Sequence, residues 1–199
     1  RSSNPTRQDL EEHLAALEGG KYGIAFSSGM ASADSCMKLL RQGDHVVCCD
    51  DVYGGTARLF NNLMTNYGVE FTYVDSQVAE NVQKAIRPET KMVWVETPTN
   101  PLLKVTDLEA VGKIAKSNDL LYVVDTTFAT PFFLRPLEYG ADLVLHSTTK
   151  YLSGHNQIIG GAIITDRDDL YDQLKYIQKS VGAVPSPFDC WLVIMGLKT

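Results

Sequence analysis

Residues 108–128 read LEAVGKIAKSNDLLYVVDTTF, and the two halves of this stretch follow different periods. Leu108, Val111 and Ile114 recur at the spacing of one helix face. Residues 120–124 are apolar throughout, as expected of a strand covered on both sides. The run ends on a single carboxylate, Asp125, followed by Thr126-Thr127-Phe128. A helix feeding a buried strand is the repeating unit of a parallel α/β sheet.

The same unit recurs outward in both directions. Leu10, Leu14 and Leu17 form a helical stripe after the polar start at Asn4-Pro5-Thr6, and Leu170, Leu174, Ile177 and Val181 form another. Further strand-like runs occupy residues 22–26, 45–49, 69–74, 91–95, 142–145 and 158–164. This alternation predicts one α/β domain over residues 1–199, with a mostly parallel sheet covered by helices on both faces. Such sheets bind ligands at the carboxyl ends of their strands, so the informative residues are those that follow each run.

Composition narrows the classes. The chain has 199 residues, 44% hydrophobic and 21% charged, with a net charge of −6. That is ordinary globular composition, and no basic stripe of the kind nucleic-acid binders carry is visible. No apolar run approaches the roughly 20 residues that span a bilayer. Cys36, Cys48, Cys49 and Cys190 make no C-x-x-C pair and no metal-ligand spacing with the histidines. Free buried thiols in a reducing cytoplasm are the expectation, with no metal.

Several strand ends carry chemistry. After residues 22–26 comes Ser27-Ser28-Gly29-Met30 ahead of a helix, where free N–H groups and the helix dipole favour an anion. After 45–49 comes DVYGGT, in which tandem glycines allow a sharp bend and Tyr53 offers a ring to a flat ligand. After 91–95 comes ETPTNP, a stiff loop that presents the Asn100 amide. Asp125 at its buried strand end needs a cation or donors. After 142–145 comes HSTTKY, where Lys150 follows Ser147 and Thr149. If desolvated, such a lysine becomes a nucleophilic amine, and the two hydroxyls can donate to a phosphate. Alone, each segment reads as well or better as a capped turn or a surface residue. Together they match one ligand, pyridoxal 5'-phosphate, which needs a phosphate cradle, a ring partner, an acid at its ring nitrogen and a lysine for its aldehyde.

The chain resembles the Cys/Met-metabolism pyridoxal-phosphate enzymes of the fold-type I aminotransferase superfamily. The resemblance rests on RSSNPTR at residues 1–7, SSGMA at 27–31, DVYGGT at 51–56, ETPTNP at 96–101, VVDTTF at 123–128, STTKYLSGH at 147–155 and GAVPSPFD at 182–189. It implies that residues 1–199 are the cofactor-binding large domain. Lys150 would carry the cofactor covalently and Asp125 would pair with its ring nitrogen. Tyr53 would stack on the ring and assist proton transfer. Gly29, Met30, Ser147 and Thr149 would hold the phosphate, and Asn100 would lie near the phenolic oxygen and the substrate carboxylate. Arg1 would reach the phosphate of a neighbouring copy. The resemblance thus implies a small amino-acid substrate and a homo-oligomer, a dimer of dimers, with sites shared between subunits.

Within the family the chain is most similar to cystathionine gamma-lyases, through DVYGGT and VGAVPSPFDCWL at residues 181–192. Methionine gamma-lyases carry a cysteine where Gly55 stands. Gamma-synthases and beta-lyases share most of the other motifs. Met195 stands where the family usually has arginine. The resemblance also implies a tyrosine two residues before the position of Arg1 and a smaller carboxyl-terminal domain with an arginine for the substrate carboxylate. Neither is in this sequence, so a longer protein is expected. Two rivals from other classes are a catalytically silent cofactor-binding module and an unrelated α/β binding protein.

Overall fold

The computed structural model describes residues 3–199. Its frame is a seven-stranded sheet in the order β1-β7-β6-β5-β4-β2-β3. The strands are β1 (Tyr22–Phe26), β2 (His45–Cys49), β3 (Glu70–Val74), β4 (Thr90–Glu96), β5 (Leu121–Asp125), β6 (Leu143–His146) and β7 (Gly161–Thr165). The pairs β3–β2, β2–β4, β4–β5 and β5–β6 are parallel. Strand β7 runs antiparallel to both β6 and β1.

The helices are α1 (Pro5–Glu18), α2 (Gly29–Met37), α3 (Gly54–Asn62), α4 (Ala79–Ala85), α5 (Leu108–Ser117), α6 (Thr130–Phe133), α7 (Asp168–Val181) and α8 (Pro187–Gly196). They cover both faces of the sheet. Leu10 and Leu14 of α1, Val82 of α4, Leu108 and Val111 of α5, and Cys190 and Val193 of α8 pack with Tyr122 and Val124 of β5. Cys36 and Met37 of α2, Leu59 and Phe60 of α3, and Leu170 and Leu174 of α7 pack with Val123 on the opposite side. Successive strand residues point to opposite faces, so the unbroken apolar runs serve two cores at once. This is why β5 showed no alternation. All four cysteines are free and buried.

Two sequence expectations shift. The run at residues 158–164 is strand only from Gly161 onward, and Ile159 is left exposed. Here the backbone is closely packed: a Cβ on Gly161 would stand 2.3 Å from the Ser28 carbonyl oxygen. The stripe of α1 is buried at Leu10 and Leu14, but Leu17 is exposed, because the buried face runs on through Ala15 and Glu18 and leaves Leu17 at its edge. Among the described residues no helix is long and apolar enough to cross a membrane. No cluster of three or more His, Cys, Asp or Glu there is placed to hold a metal.

Candidate active site

A cavity of about 220 Å³ opens at the carboxyl ends of the parallel strands. Gly29, Met30, Tyr53, Asn100, Asp125, Ser147, Thr149 and Lys150 all line it. These residues span more than half of the chain, and each sits just beyond its strand or at its end. Arg1 lies outside the described residues.

One end of the cavity suits an anion. Ser28 caps α2 by accepting the Ala31 N–H at 3.0 Å. The first-turn N–H groups of Gly29 and Met30 have no intrahelical partner, as at any helix start. Gly29 presses against the loop after β6: a Cβ there would stand 2.8 Å from the Ser147 Cβ. The cradle therefore requires a residue without a side chain. The Thr149 hydroxyl donates to the Gly160 carbonyl at 3.1 Å and accepts the Gly160 N–H at 3.0 Å. It must exchange the first of these bonds to donate to a bound anion.

Tyr53 stands at the start of α3, and its side chain is 45% exposed. A Cβ on Gly55 would lie 2.3 Å from a ring carbon of Tyr53 and 3.0 Å from the Met30 sulfur. Gly55 thus serves to seat the Tyr53 ring, whereas Gly54 meets nothing and neither glycine makes the sharp bend the sequence suggested, both lying in the first turn of α3 with no positive φ.

Asp125 ends β5 and is buried. Its Oδ1 accepts the Thr127 N–H at 2.9 Å and the Thr127 hydroxyl at 2.6 Å. Thr127 Oγ1 in turn accepts the Ser147 N–H at 2.9 Å. Asp125 and the anion cradle are therefore linked through one threonine. Burial raises the Asp125 carboxyl above the ordinary range, opposed by the Thr127 bonds and by nearby His146. His146 is itself fully buried and paired with Glu18 of α1.

Lys150 is exposed at the cavity mouth, not desolvated as a buried amine would be. Its backbone N–H is tied to the Ser147 carbonyl at 3.2 Å. Tyr151 and Leu152 continue into a short 3-10 turn. The amine is thus carried by an exposed stem on a backbone held to Ser147.

Sequence reasoning gave no role to Glu96 or to the Thr127 side chain. Glu96 ends β4 and pairs in register with Asp125. The signal was available, because a carboxylate closing a buried run is the same feature that marked Asp125. Ile159 also lines the cavity and lies just before β7 rather than within a strand. Met195 is exposed on α8 and does not line the cavity.

Comparison with known proteins places this arrangement in context. The family model described as Cys/Met metabolism PLP-dependent enzyme matches residues 1–199. The chain is 51% identical over 199 residues to a cystathionine gamma-lyase of Bacillus subtilis, covering 100% of the chain and 52% of that protein. It is 50% identical over 201 residues to a cystathionine beta-lyase of Coxiella burnetii, again covering 52% of the relative. The crystal structure of cystathionine gamma-lyase from Lactobacillus plantarum complexed with L-serine superposes with a TM-score of 0.98 at 43% identity. That match covers 100% of this chain and 52% of the other. The chain spans about half the length of these relatives. With the whole sequence matched and the fold shared, the chain belongs to the Cys/Met-metabolism PLP-dependent enzymes.

Proposed function

We propose that residues 1–199 are the cofactor-binding large domain of a carbon–sulfur lyase that cleaves cystathionine by gamma-elimination to cysteine, 2-oxobutanoate and ammonia. The observation that carries this reading is the convergence of Gly29, Tyr53, Asn100, Asp125, Ser147 and Lys150 on one cavity. The residues present fit pyridoxal phosphate. Gly29 leaves a cradle that a Cβ would fill, and Asp125 offers a buried carboxylate whose Oδ1 alone is taken by Thr127. When bound, the cofactor supplies an electron sink for the carbanion that forms at the substrate α-carbon.

The protein's own groups do the rest. Gly29 and Met30 N–H groups and the Ser147 hydroxyl hold the phosphate, with Thr149 beside them. Asp125 keeps a proton on the ring nitrogen, Tyr53 covers the ring, and Asn100 orients the phenolic oxygen. Lys150 holds the cofactor through Nζ. When free, Nζ would take the proton from the substrate α-carbon, give it up again to the cofactor-bound substrate, and, once more a neutral amine, take one from the β-carbon before the γ-thiol leaves. An exposed lysine stem suits a base that serves two carbons.

The site is shared in a homodimer or a dimer of dimers, with Arg1 serving the neighbouring phosphate. Phe132 and Phe133 of α6 are 86% and 80% exposed, as residues covered by a second copy would be in an isolated chain. A cytoplasmic setting agrees with the four free thiols. Beta-elimination and gamma-replacement are the alternatives within the family. Gly55 argues mildly against methionine gamma-lyase, since the resemblance implies a cysteine at that position in those enzymes.

The reaction is tested by product analysis with cystathionine. Only gamma-elimination yields 2-oxobutanoate; pyruvate would establish beta-elimination instead. A silent module would bind the cofactor, show its visible absorbance and turn nothing over.

The anion cradle has a test of its own. A methyl group at Gly29 collides with the Ser147 Cβ, a backbone-proximal atom with little freedom. Gly29→Ala is therefore expected to weaken cofactor binding about 10- to 100-fold, the scale of one or two charge-assisted hydrogen bonds. Titration of the apoprotein with pyridoxal phosphate measures it, and unchanged affinity would remove Gly29 from the site.

A further inference from the structure

Glu96 is 5% exposed and lies at the end of β4, beside Asp125 in register. Its two oxygens serve different loops. Oε2 accepts the Tyr53 N–H at 2.8 Å, and Oε1 accepts the Asn100 N–H at 2.8 Å. The Glu96 backbone is fixed as well, since its own N–H donates to the Cys49 sulfur at 3.2 Å. One buried carboxylate therefore joins the turn after β2 to the turn after β4, the two segments that bring Tyr53 and Asn100 to the cavity.

The fold bears a cost for this arrangement. Burial and the neighbouring Asp125 push the Glu96 carboxyl up to about 8, against the pull of the two N–H donors. A residue serving only the core would be better replaced by an apolar one. Tyr53, meanwhile, has little else to orient it. Its ring is half-exposed, and its side chain makes no cap for α3. Its backbone is held by its N–H to Glu96 and by its carbonyl, which accepts the Ala57 N–H at 3.0 Å, and its ring lies close over Gly55.

We propose that Glu96 is a positioning residue for Tyr53, anchoring the backbone from which the ring is held over the cofactor and tying that anchor to the Asn100 loop. The inference rests on the reading of the cavity as a pyridoxal-phosphate site. Glutamine at this position keeps one acceptor and turns an NH2 group towards the other N–H, so it opens one arm of the bracket. Aspartate keeps both carboxyl oxygens but is one methylene too short to span both donors.

The experiment uses the full protein and pyridoxal phosphate itself. Cofactor affinity and the visible circular dichroism of the bound cofactor are measured for wild type, Glu96→Gln and Glu96→Asp. The same two substitutions are then made in a Tyr53→Ala background. Glu96→Gln should weaken binding up to about tenfold, the scale of one lost buried hydrogen bond, and should alter the visible dichroism, which reports ring orientation. Glu96→Asp should do the same to a smaller degree. Without the Tyr53 ring, the further effect of either change should shrink to the part that passes through the Asn100 loop. Wild-type affinity and dichroism in both Glu96 variants overturn the proposal. So does a loss that persists in full when the ring is gone, because Glu96 would then act on the pocket by another route. A wild-type protein that takes up no cofactor overturns the cofactor reading and this inference with it. A coloured wild type with unaffected variants overturns the inference alone.

Discussion

Lys150→Ala is expected to abolish covalent cofactor attachment and to lower turnover by at least about a thousandfold. The amine is assigned two tasks, holding the cofactor and moving protons, and loss of general acid–base catalysis alone is worth roughly 100- to 10,000-fold. Stability should be almost untouched. Lys150 is exposed, and replacing a surface side chain away from special features changes stability by about 0.5 kcal/mol at most. Borohydride reduction, digestion and peptide mapping check the attachment point in the wild type, and thermal unfolding of the apoproteins checks the fold. Label on another lysine sinks the assignment, and so does a variant that keeps wild-type turnover.

Asp125→Asn should come next in size and act differently. Asparagine preserves the Oδ1 acceptor for the Thr127 N–H and hydroxyl, so local geometry should survive. What disappears is the negative charge that favours a protonated ring nitrogen. Opposite charges at close range shift such equilibria by about 1–3 pKa units, and each unit is a factor of about ten. Proton removal from the substrate should slow about 10- to 1000-fold, while KM changes little. Rapid-mixing kinetics with deuterated substrate isolate this step. A wild-type rate would reduce Asp125 to a turn cap.

The same substitution has an opposite signature in the apoprotein. Burial raises the Asp125 carboxyl in the folded state, so the native protein keeps a proton that the unfolded chain releases. Stability then falls as pH rises from the ordinary carboxylate range through the raised folded value. Asparagine removes that contribution, leaving the fall due to Glu96, whose carboxyl is pushed up to about 8. Apo Asp125→Asn should therefore lose less stability than wild type between acid and neutral pH. Urea melts across that range measure the difference, and parallel profiles would show that Asp125 is not desolvated as described.

The fold class and the strand-end residues that line the cavity were legible in the amino-acid sequence. Residues 108–128 contain the helix, the two-sided strand and its terminal carboxylate in order, and these are local patterns of spacing and polarity. Because parallel strands present their carboxyl ends on one side, reading the residue after each run was enough to collect Gly29, Tyr53, Asn100, Asp125, Ser147 and Lys150. The reversal of β7 was not legible, since an apolar run carries no sign of its direction. The contacts that decide how each group is held were not legible either. Thr149 spends its hydroxyl on Gly160, eleven positions away. Thr127, bonded to Asp125, reaches Ser147 across twenty positions. Glu96 reaches Tyr53 across forty-three. A hydrogen bond fixes atoms to a few tenths of an ångström, whereas a sequence pattern fixes only the face on which a residue lies. Only once the strands are aligned in register do Glu96 and Asp125 become neighbours, and only then does a second carboxylate at a strand end have something to hold.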